Sequence, residues 1–536
     1  MRTLDWVVLV GALVSIVSYG LYKSRGSRTV NLYLLAGKTL PWWTVALSIM
    51  ATQASAVTFI SIPGQSFVDG MRFVQYYFGL PLAMVILSAT AVPIFHRANV
   101  YTAYEYLEQR FDAKTRALAS IIFLIQRGLA AGLTLYAPAI VLAVILRWPD
   151  RVTTLIIGAI VIAYTVTGGV KAIAWTDVQQ MLTIFTGLTV ALFMVVHLMP
   201  ADVSFRDAVH LAGSAGKLNA VDLSFDWQNR YNIWSGLIGG MFLALSYFGC
   251  DQSQVQRYLT GRSIAQSKLS LMFNAMAKVP MQFFILFIGA MVFVFYLFEQ
   301  PPVLFQETAA ATIQSSPRYP EVASTYQQAF EKRRDAAKEL VESRRAGDEG
   351  RHREGLAQYR LAQKELEGAR GKAIGILEEA NGKKGFNDTN YIFLTFVTGH
   401  LPPGLVGLII AVIFCATMSA ISAEVSSLAT VSVIDIYTRH IRREASDRHY
   451  LLASRLATAF WGVYAVVFSQ YGKNLGSLVE AVNILGSLFY GSLLGVFILA
   501  FFFKRVAGTA AFLGMLAGEA AILCTFAFTK ISAAWW

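Results

Sequence analysis

The chain has 536 residues, of which 55% are hydrophobic and 15% are charged, and it carries a net charge of +12. A soluble domain is about one quarter charged, so this composition excludes an ordinary soluble domain. Much of the positive charge lies in short loops between apolar runs, where membrane proteins place it, and it gives no argument for nucleic-acid binding. The three cysteines lie in apolar runs, without the spacing of a disulfide framework or a metal site.

Apolar runs of roughly 20 residues predict an all-α polytopic membrane protein with about twelve transmembrane spans. The first run, from about Trp6 to Tyr22, follows no sizeable basic segment and precedes no small-residue cleavage site. We therefore interpret it as a retained span rather than a signal peptide. The predicted spans are 5–23, 41–63, 73–95, 115–146, 152–167, 176–199, 232–250, 269–297, 404–436, 451–470, 476–503 and 508–530.

The loops alternate in their content of Lys and Arg, and this alternation predicts the orientation of the chain. The basic segments are 23–38, 96–116, 254–268, 437–450 and 504–505, whereas 64–72, 147–151 and 471–475 are poorer in basic residues. Assigning the basic set to the cytoplasm places the N-terminus outside a plasma membrane or a bacterial inner membrane. The even number of spans places the C-terminus on the same side.

The second span, 42–64, is too polar in its middle for a helix that faces lipid. It carries four polar side chains before the Pro63-Gly64 pair, namely Thr52, Gln53, Ser55 and Thr58. An interruption here would free backbone carbonyls, which can replace the water around a sodium ion. The alternative is a packing face of small residues whose hydroxyls bond back to the helix.

Arg127 lies about twelve residues into the fourth span, too deep to reach the membrane surface easily. Such a charge needs a partner, and two kinds are open. Arg127 pairs with Glu424, Glu480 or Asp177 inside the bundle, or it holds a substrate carboxylate through two hydrogen bonds.

Asp177 stands at the start of the apolar run that continues to about Val196, directly after the Gly168-Gly169 pair. Two adjacent glycines predict the end of one helix and the start of the next. A carboxylate at this boundary is costly unless it pairs, so we interpret Asp177 as a candidate cation ligand.

Residues 304–388 break the pattern, because they are polar and rich in helix-forming residues. We predict a helical hairpin outside the membrane, built from 326–346 and 350–380, and a membrane domain in two parts, 1–303 and 389–536. The hairpin is either a solvated insert or a docking or gating module, and its protein partner stays open.

The run 416–435 combines small residues, hydroxyls and an acid. Ala416, Ser419, Ala420 and Ala423 fall on one helical stripe, and Ser422 and Ser426 on a neighbouring one. The serines indicate either cation ligands or helix packing. Glu424 is either one half of a structural ion pair or a source of negative charge for a nearby cation.

The chain resembles the sodium:solute symporter family, the sodium-coupled carriers of sugars, proline, sialic acid, iodide and vitamins. Seven motifs in family order carry the resemblance outside the insert: LLAGKTLPWW (34–43), the run 42–64, YTAYEYLEQRF (101–111), YTVTGGVKAIAWTD (164–177), DQSQVQR (251–257), MSAISAEVSSLATVSVIDIY (418–437) and FKRVAGTAAFLG (503–514). The resemblance implies two five-helix inverted repeats with flanking helices, the repeats beginning near 41–63 and 232–250. Many members have one more span after the stretch that matches 508–530.

The resemblance also implies sodium ligands. The main site would use Ala51, Ala54, Ala416, Ser419 and Ala420, and Ala420 stands where members usually have a second hydroxyl. A second cation site in some members corresponds to Asp177, Ser419, Ser422 and Ala423, where again one hydroxyl is missing. We therefore expect one sodium ion, with a second left open, no other metal and no organic cofactor. Glu424, one turn from Ala420, is a candidate to supply the missing negative charge.

The substrate cavity of the family lies beside the sodium site. The matching positions here are Gln53, Thr58, Arg127, Asn483, Ser487 and Tyr490. The small residues of the first broken helix, together with Arg127, favour a small organic anion, whereas a neutral sugar or an amino acid stays open.

Together these features predict sodium-coupled symport of a small polar solute by alternating access. The alternatives are a proton-coupled carrier that uses Glu424 or Asp177, because the sodium site lacks hydroxyls, and a solute sensor without transport. An enzyme is not expected, because no nucleophile elbow, metal cluster or phosphate loop is visible in the sequence.

Overall fold

The structure is a computed structural model that describes residues 1–26, 28–146, 149–226, 231–382, 384–471 and 478–529. These residues form helices, short 3₁₀ and π turns and loops, without a β-sheet among them. The helices are α1 (Thr3–Lys23), α2 (Val30–Leu35), α3 (Trp42–Gln53), α4 (Ala56–Asp69), α5 (Leu80–Ala89), α6 (Ala91–Ala98), α7 (Ala103–Arg110), α8 (Ala113–Leu146), α9 (Asp150–His197), α10 (Phe205–Ser214), α11 (Gly240–Gly249), α12 (Gln252–Leu259), α13 (Ile264–Phe298), α14 (Glu307–Gln314), α15 (Tyr319–Ala346), α16 (Glu349–Asn381), α17 (Thr389–His400), α18 (Leu405–Val431), α19 (Asp447–Ser469), α20 (Leu478–Phe502) and α21 (Gly508–Phe528).

Nine helical stretches of the described chain are long and apolar enough to cross a membrane, which confirms an all-α protein with many apolar helices. Two of these stretches, 56–98 and 151–197, have 43 and 47 residues, about twice the length of ~20 residues that one crossing needs. Each therefore has room for more than one crossing, and the number twelve stays a prediction.

Helix α9 changes direction at Gly169, inside the glycine pair that the sequence analysis singled out. Gly169 has φ 60° and ψ −163°, in the left-handed half of the map that favours glycine. A Cβ at this position would lie 2.6 Å from the carbonyl oxygen of Tyr33. The close approach of α2 and the positive φ both require glycine here.

Two further interruptions separate α3 from α4 and α11 from α12. At the first, Ala54 (φ −92°, ψ 71°) leaves the helical region before α4 resumes at Ala56. At the second, Asp251 is extended (φ −80°, ψ 118°), and its side chain accepts a hydrogen bond from Ser253 N, which caps α12. The first interruption lies in the span expected to begin one repeat, 41–63, and the second directly follows the span expected to begin the other, 232–250.

The five basic segments meet at one end of the molecule, which we call the basic end. Each contact joins two of these segments, or one segment and the residue directly beside another, as expected if all five face the same compartment. The contacts are Lys38–Asn99 (2.6 Å), Arg262–Thr39 O (2.7 Å), Arg110–Phe503 O (2.7 Å) and an ion pair between Arg439 and Glu108.

The segment 304–388 folds at the other end of α13, a 35-residue helix about 50 Å long that begins beside the basic end. Helices α15 and α16 pack along each other and turn at Gly347, which has φ 68°. They extend the predicted helices 326–346 and 350–380 by a few residues, and α14 precedes them.

The hairpin of α15 and α16 is fastened to the long apolar helix α13 and to the short helix α10. Buried Arg333 donates to the carbonyl of Tyr296 on α13 (2.6 Å), and Arg345 pairs with Asp207 on α10 (2.5 Å). The two ends of the segment also meet, since Phe305 N donates to Asp388 Oδ2 (2.8 Å).

Candidate functional site

A cavity of about 180 Å³ lies beside the α3–α4 interruption. Its walls come from the interruption itself, from the 3₁₀ turn before α5, and from α8, α11, α18 and α20. The polar side chains that line it are Thr52, Gln53, Ser55, Thr58, Gln126, Arg127, Thr134 and Glu424, together with the tyrosines 76, 77, 247 and 490. A concave pocket in which polar groups converge between aromatic and other apolar side chains is a usual form of a small-molecule site.

Arg127 on α8 is the centre of a buried charge network at this cavity. It forms ion pairs with Asp251, at the α11–α12 interruption, and with Glu424 Oε1 on α18 (3.1 Å). It also donates to the hydroxyl of Tyr490 on α20 (2.8 Å). The Tyr490 hydroxyl donates in turn to Asp251 Oδ2 (3.0 Å). Pairing of this kind is what keeps a guanidinium tolerable inside a membrane bundle.

Asp177 on α9 forms a second buried polar cluster. Its two carboxylate oxygens accept hydrogen bonds from Ser48 on α3 (2.5 Å) and from Ser419 on α18 (2.6 Å). All three side chains are at most 1% exposed. The carboxylate therefore ties α3 to α18 through hydroxyl groups, and the buried guanidinium of Arg257 on α12 interacts electrostatically with it.

The residues expected at the main sodium site lie next to this cluster. Ala51 follows Ser48 by one turn of α3, and Ala416 precedes Ser419 by one turn of α18. Both pairs therefore lie on the helix faces that meet at Asp177. Ala420 lines the cavity together with residues of the interruption. All five expected residues, Ala51, Ala54, Ala416, Ser419 and Ala420, are at most 2% exposed.

The structure brings together Asp177 and Ser419 of the expected second cation site but gives Ser422 a different contact. The hydroxyl of Ser422 donates to the carbonyl of Ser419 (3.0 Å) within its own helix. Ser48 takes the other carboxylate oxygen instead.

Four of the expected substrate residues line the cavity: Gln53, Thr58, Arg127 and Tyr490. Ser487 is buried on α20 but is not among the residues that line it. Asn483 also belongs to α20, and its side chain lies outside the described part of the chain.

Sequence reasoning missed Ser48, Asp251 and Tyr247 as site residues. Ser48 had a visible signal, because it is a hydroxyl one turn before Ala51 in an apolar run. Asp251 had one as well, since it directly follows the apolar run that ends at Cys250. Tyr247, whose ring faces the Arg127 guanidinium at 5.5 Å, had none, because an aromatic residue in an apolar helix is common.

The fold and the two clusters describe a helical membrane protein with interrupted helices around a buried cavity. The sequence model of the sodium:solute symporter family matches residues 33–320 and 368–518. The chain belongs to this family, which confirms the resemblance given by its motifs. The unmatched residues 321–367 lie within α15 and α16.

Curated relatives extend over nearly the whole chain. The sodium/sialic acid symporter NanT of Aliivibrio fischeri is 26% identical over 99% of this chain and 89% of its own length. The sodium-dependent multivitamin transporter of Oryctolagus cuniculus is 27% identical over 96% of this chain and 69% of its own length. The human sodium/iodide cotransporter is 31% identical over 56% of this chain and 47% of its own length.

A solved structure supports the fold. It is that of a sodium-coupled sialic acid symporter in a substrate-bound, outward-open state. The two structures match with a TM-score of 0.75 and 23% sequence identity, over 99% of this chain and 93% of the other.

Proposed function

We propose that the chain is a sodium-coupled symporter that moves a small polar solute across a plasma membrane or a bacterial inner membrane by alternating access. The observation that carries this proposal is the Asp177 cluster, which joins α3 and α18 within two turns of the α3–α4 interruption and next to Ala420 of the cavity wall. Carboxylate, hydroxyl and backbone oxygens are suitable ligands for a small cation, and all are found there.

In the proposed cycle, sodium enters from outside and binds between the interruption and α18. The bound ion neutralises Asp177 and holds the two elements together, which orders the wall of the cavity for the solute. The two interruptions, at Ala54 and Asp251, support two five-helix repeats that rock against each other. Low internal sodium then releases the ion at the basic end.

The driving force is sufficient for accumulation. A charge that moves inward down about 100 mV releases roughly 2.3 kcal/mol. A tenfold sodium gradient adds about 1.4 kcal/mol. For a solute without net charge, one ion per cycle therefore supports an accumulation of roughly a few hundredfold, and two ions support far more.

An organic anion stays a prediction for the solute. The relatives named for sialic acid and monocarboxylates favour it. Arg127 gives less support to an anion. Its guanidinium is already paired with two carboxylates and is not free to bind a third.

The test is sodium-dependent thermal stability of the purified protein, with potassium as the replacement ion. A ligand that binds only the folded state raises the melting temperature by mass action. We expect sodium to stabilise the wild type, and Asp177→Asn to raise the half-maximal sodium concentration at least about tenfold, since a bond to a charged ligand is lost.

Two results would contradict the proposal. One is the absence of any sodium effect on the wild-type protein or on solute uptake into vesicles. The other is uptake driven by a pH gradient in sodium-free buffer, which would favour the proton-coupled alternative through Asp177 or Glu424.

A further inference from the structure

Three side chains that line the cavity each carry an oxygen atom without a hydrogen-bond partner. Within the described residues, buried Thr52 Oγ1, Gln53 Oε1 and Glu424 Oε2 make no hydrogen bond, and all three side chains line the cavity. Glu424 is only 6% exposed, and its other oxygen, Oε1, accepts from Arg127. A buried carboxylate oxygen without a hydrogen-bond donor or a cation beside it destabilises the fold. We therefore expect a donor or a cationic group of the solute to bind there.

Aromatic rings form much of the remaining wall. They are Phe73, Tyr76, Tyr77, Tyr247, Phe248 and Tyr490. The faces of aromatic rings attract cations, and several rings together recognise alkylammonium groups. The ring of Tyr247 already faces one cation of the protein, the Arg127 guanidinium.

The charges of the network leave one negative charge in excess. Arg127 contributes one positive charge, whereas its two partners Asp251 and Glu424 contribute two negative ones. The second oxygen of Asp251, Oδ1, caps α12. It accepts hydrogen bonds from Ser253 N (2.9 Å) and Ser253 Oγ (2.7 Å). The unpartnered carboxylate oxygen of the network therefore belongs to Glu424, whose side chain lines the cavity.

We propose that the solute carries a cationic nitrogen, an alkylammonium group, which binds between Glu424 Oε2 and the aromatic wall. This inference rests on the proposed function, because it names the solute class of the same cavity. It assigns Glu424 to the solute, whereas the sequence analysis considered it as a supplement to the sodium site.

Another buried cation, Lys278, lies close to the aromatic wall. It makes the choice between a cationic and an anionic solute testable. Lys278 on α13 has its Nζ 5.7 Å from the centroid of the Tyr77 ring, and it makes no hydrogen bond to the described residues. It does not line the cavity. An anionic solute would be attracted by Lys278 and repelled by the free oxygen of Glu424, so anions and cations should behave oppositely.

The test measures thermal stability of the full chain in sodium or potassium, with probes of defined charge. The cationic probes are choline and tetramethylammonium, and 3,3-dimethylbutan-1-ol is the neutral carbon analogue of choline. Lactate and N-acetylneuraminate are the anionic probes. We expect the cationic probes to raise the melting temperature in sodium, and the neutral analogue to need at least about a tenfold higher concentration because it lacks the charge.

Two glutamate variants provide a matched pair. Glu424→Gln should raise the half-maximal choline concentration at least about tenfold while leaving the sodium response in place. Glu519→Gln is the control. Glu519 is another glutamate in an apolar helix, with one oxygen bonded to Ser492 (2.5 Å) and one unpartnered among the described residues, but it does not line the cavity. This variant should respond to choline as the wild type does.

The outcomes separate this inference from the proposed function. Stabilisation by anions or sugars but not by cationic probes, with sodium dependence intact, overturns the inference alone. A Glu424→Gln variant that loses its sodium response but keeps its choline response also overturns the inference alone. That result would assign Glu424 to the sodium site. Choline binding of the wild type that needs Glu424 but not sodium supports the inference and contradicts sodium coupling. If neither sodium nor any cationic probe stabilises the protein, both proposals fall.

Discussion

Three buried carboxylates, Asp177, Asp251 and Glu424, determine the chemistry at the centre of this protein. Each accepts at least one hydrogen bond from a helix other than its own. Burying a charge is expensive even when it is paired, and apolar side chains often stabilise such positions better. Their position beside one cavity therefore agrees with roles in ion and solute binding rather than in stability alone.

Two serines three residues apart on α18 allow the ion site to be tested at the level of single hydroxyls. Ser419→Ala removes a hydrogen bond to Asp177, so we expect the half-maximal sodium concentration for thermal stabilisation to rise about tenfold. Ser422→Ala leaves both hydroxyl groups that bond Asp177 in place, so it should change this concentration less than about twofold.

Equal effects of the two serine variants would place Ser422 among the ligands, as the family resemblance implied. No effect of Ser419→Ala would contradict the role proposed here for the Asp177 cluster.

Sequence alone identified the charged residues but only part of their partners. Arg127, Asp177 and Glu424 were recognisable because a charge inside an apolar run is rare. Glu424 was only one of three candidates to pair with Arg127, and Ser48 was no candidate for Asp177. The partner of a residue depends on which helix faces it, and periodicity along one helix carries no information about its neighbours.

At the scale of elements, interruptions decide where polar groups meet. Glycines and polar runs revealed two of them in the sequence, at Gly169 and in 42–64, because both features disfavour a continuous helix. The cap of α12 by Asp251 was not predicted. The motif that contains Asp251, 251–257, was used only as evidence for the family resemblance. The short helices α2, α7, α10 and α17 were missed as well. Each is too short to show a clear periodic pattern of apolar residues.

Gly169→Ala tests whether the turn of α9 depends on glycine. The added Cβ would meet the carbonyl of Tyr33 and force an alanine to a positive φ, so we expect a loss of about 1–3 kcal/mol in unfolding free energy and a lower melting temperature. Gly11→Ala on α1 is the control, since nothing lies within 4 Å of its Cβ position. It should be neutral or slightly stabilising, and equal losses in both variants would refute the argument.

The attachment of the hairpin to α10 should depend on acid. Burial alone would raise the pKa of Asp207, but hydrogen bonds from Arg345 and Ser204 outweigh it and hold this pKa below its usual value. A lowered folded-state pKa means that the contribution to stability is present at neutral pH and is lost as the pH falls through that pKa, below about 4.

Hydrogen exchange of α15 measures this effect. Relative to the intrinsic exchange rate at each pH, protection near Arg345 should fall below about pH 4, and at pH 7 in Asp207→Asn. Glu379→Gln is the control, because its ion pair with Arg318 is exposed and worth little. Unchanged protection in Asp207→Asn would show that the ion pair with Arg345 does not fasten the hairpin.

For the whole molecule, the distribution of charge gives a topology that labelling can check. The hairpin and the basic end lie at opposite ends of α13, and the basic end is expected in the cytoplasm. In a cysteine-free background, exposed Glu354→Cys should react with a membrane-impermeant thiol reagent on intact cells. Exposed Arg443→Cys should react only after permeabilisation, and the reverse pattern would invert the predicted orientation.

The hydrogen bond between Phe305 and Asp388 has a consequence for the engineering of this chain. Because the two ends of the segment meet, joining them directly closes only a short loop, whose entropic cost is small. The same junction is a suitable place to exchange the hairpin for a foreign domain, such as a fluorescent reporter or a rigid handle for electron microscopy.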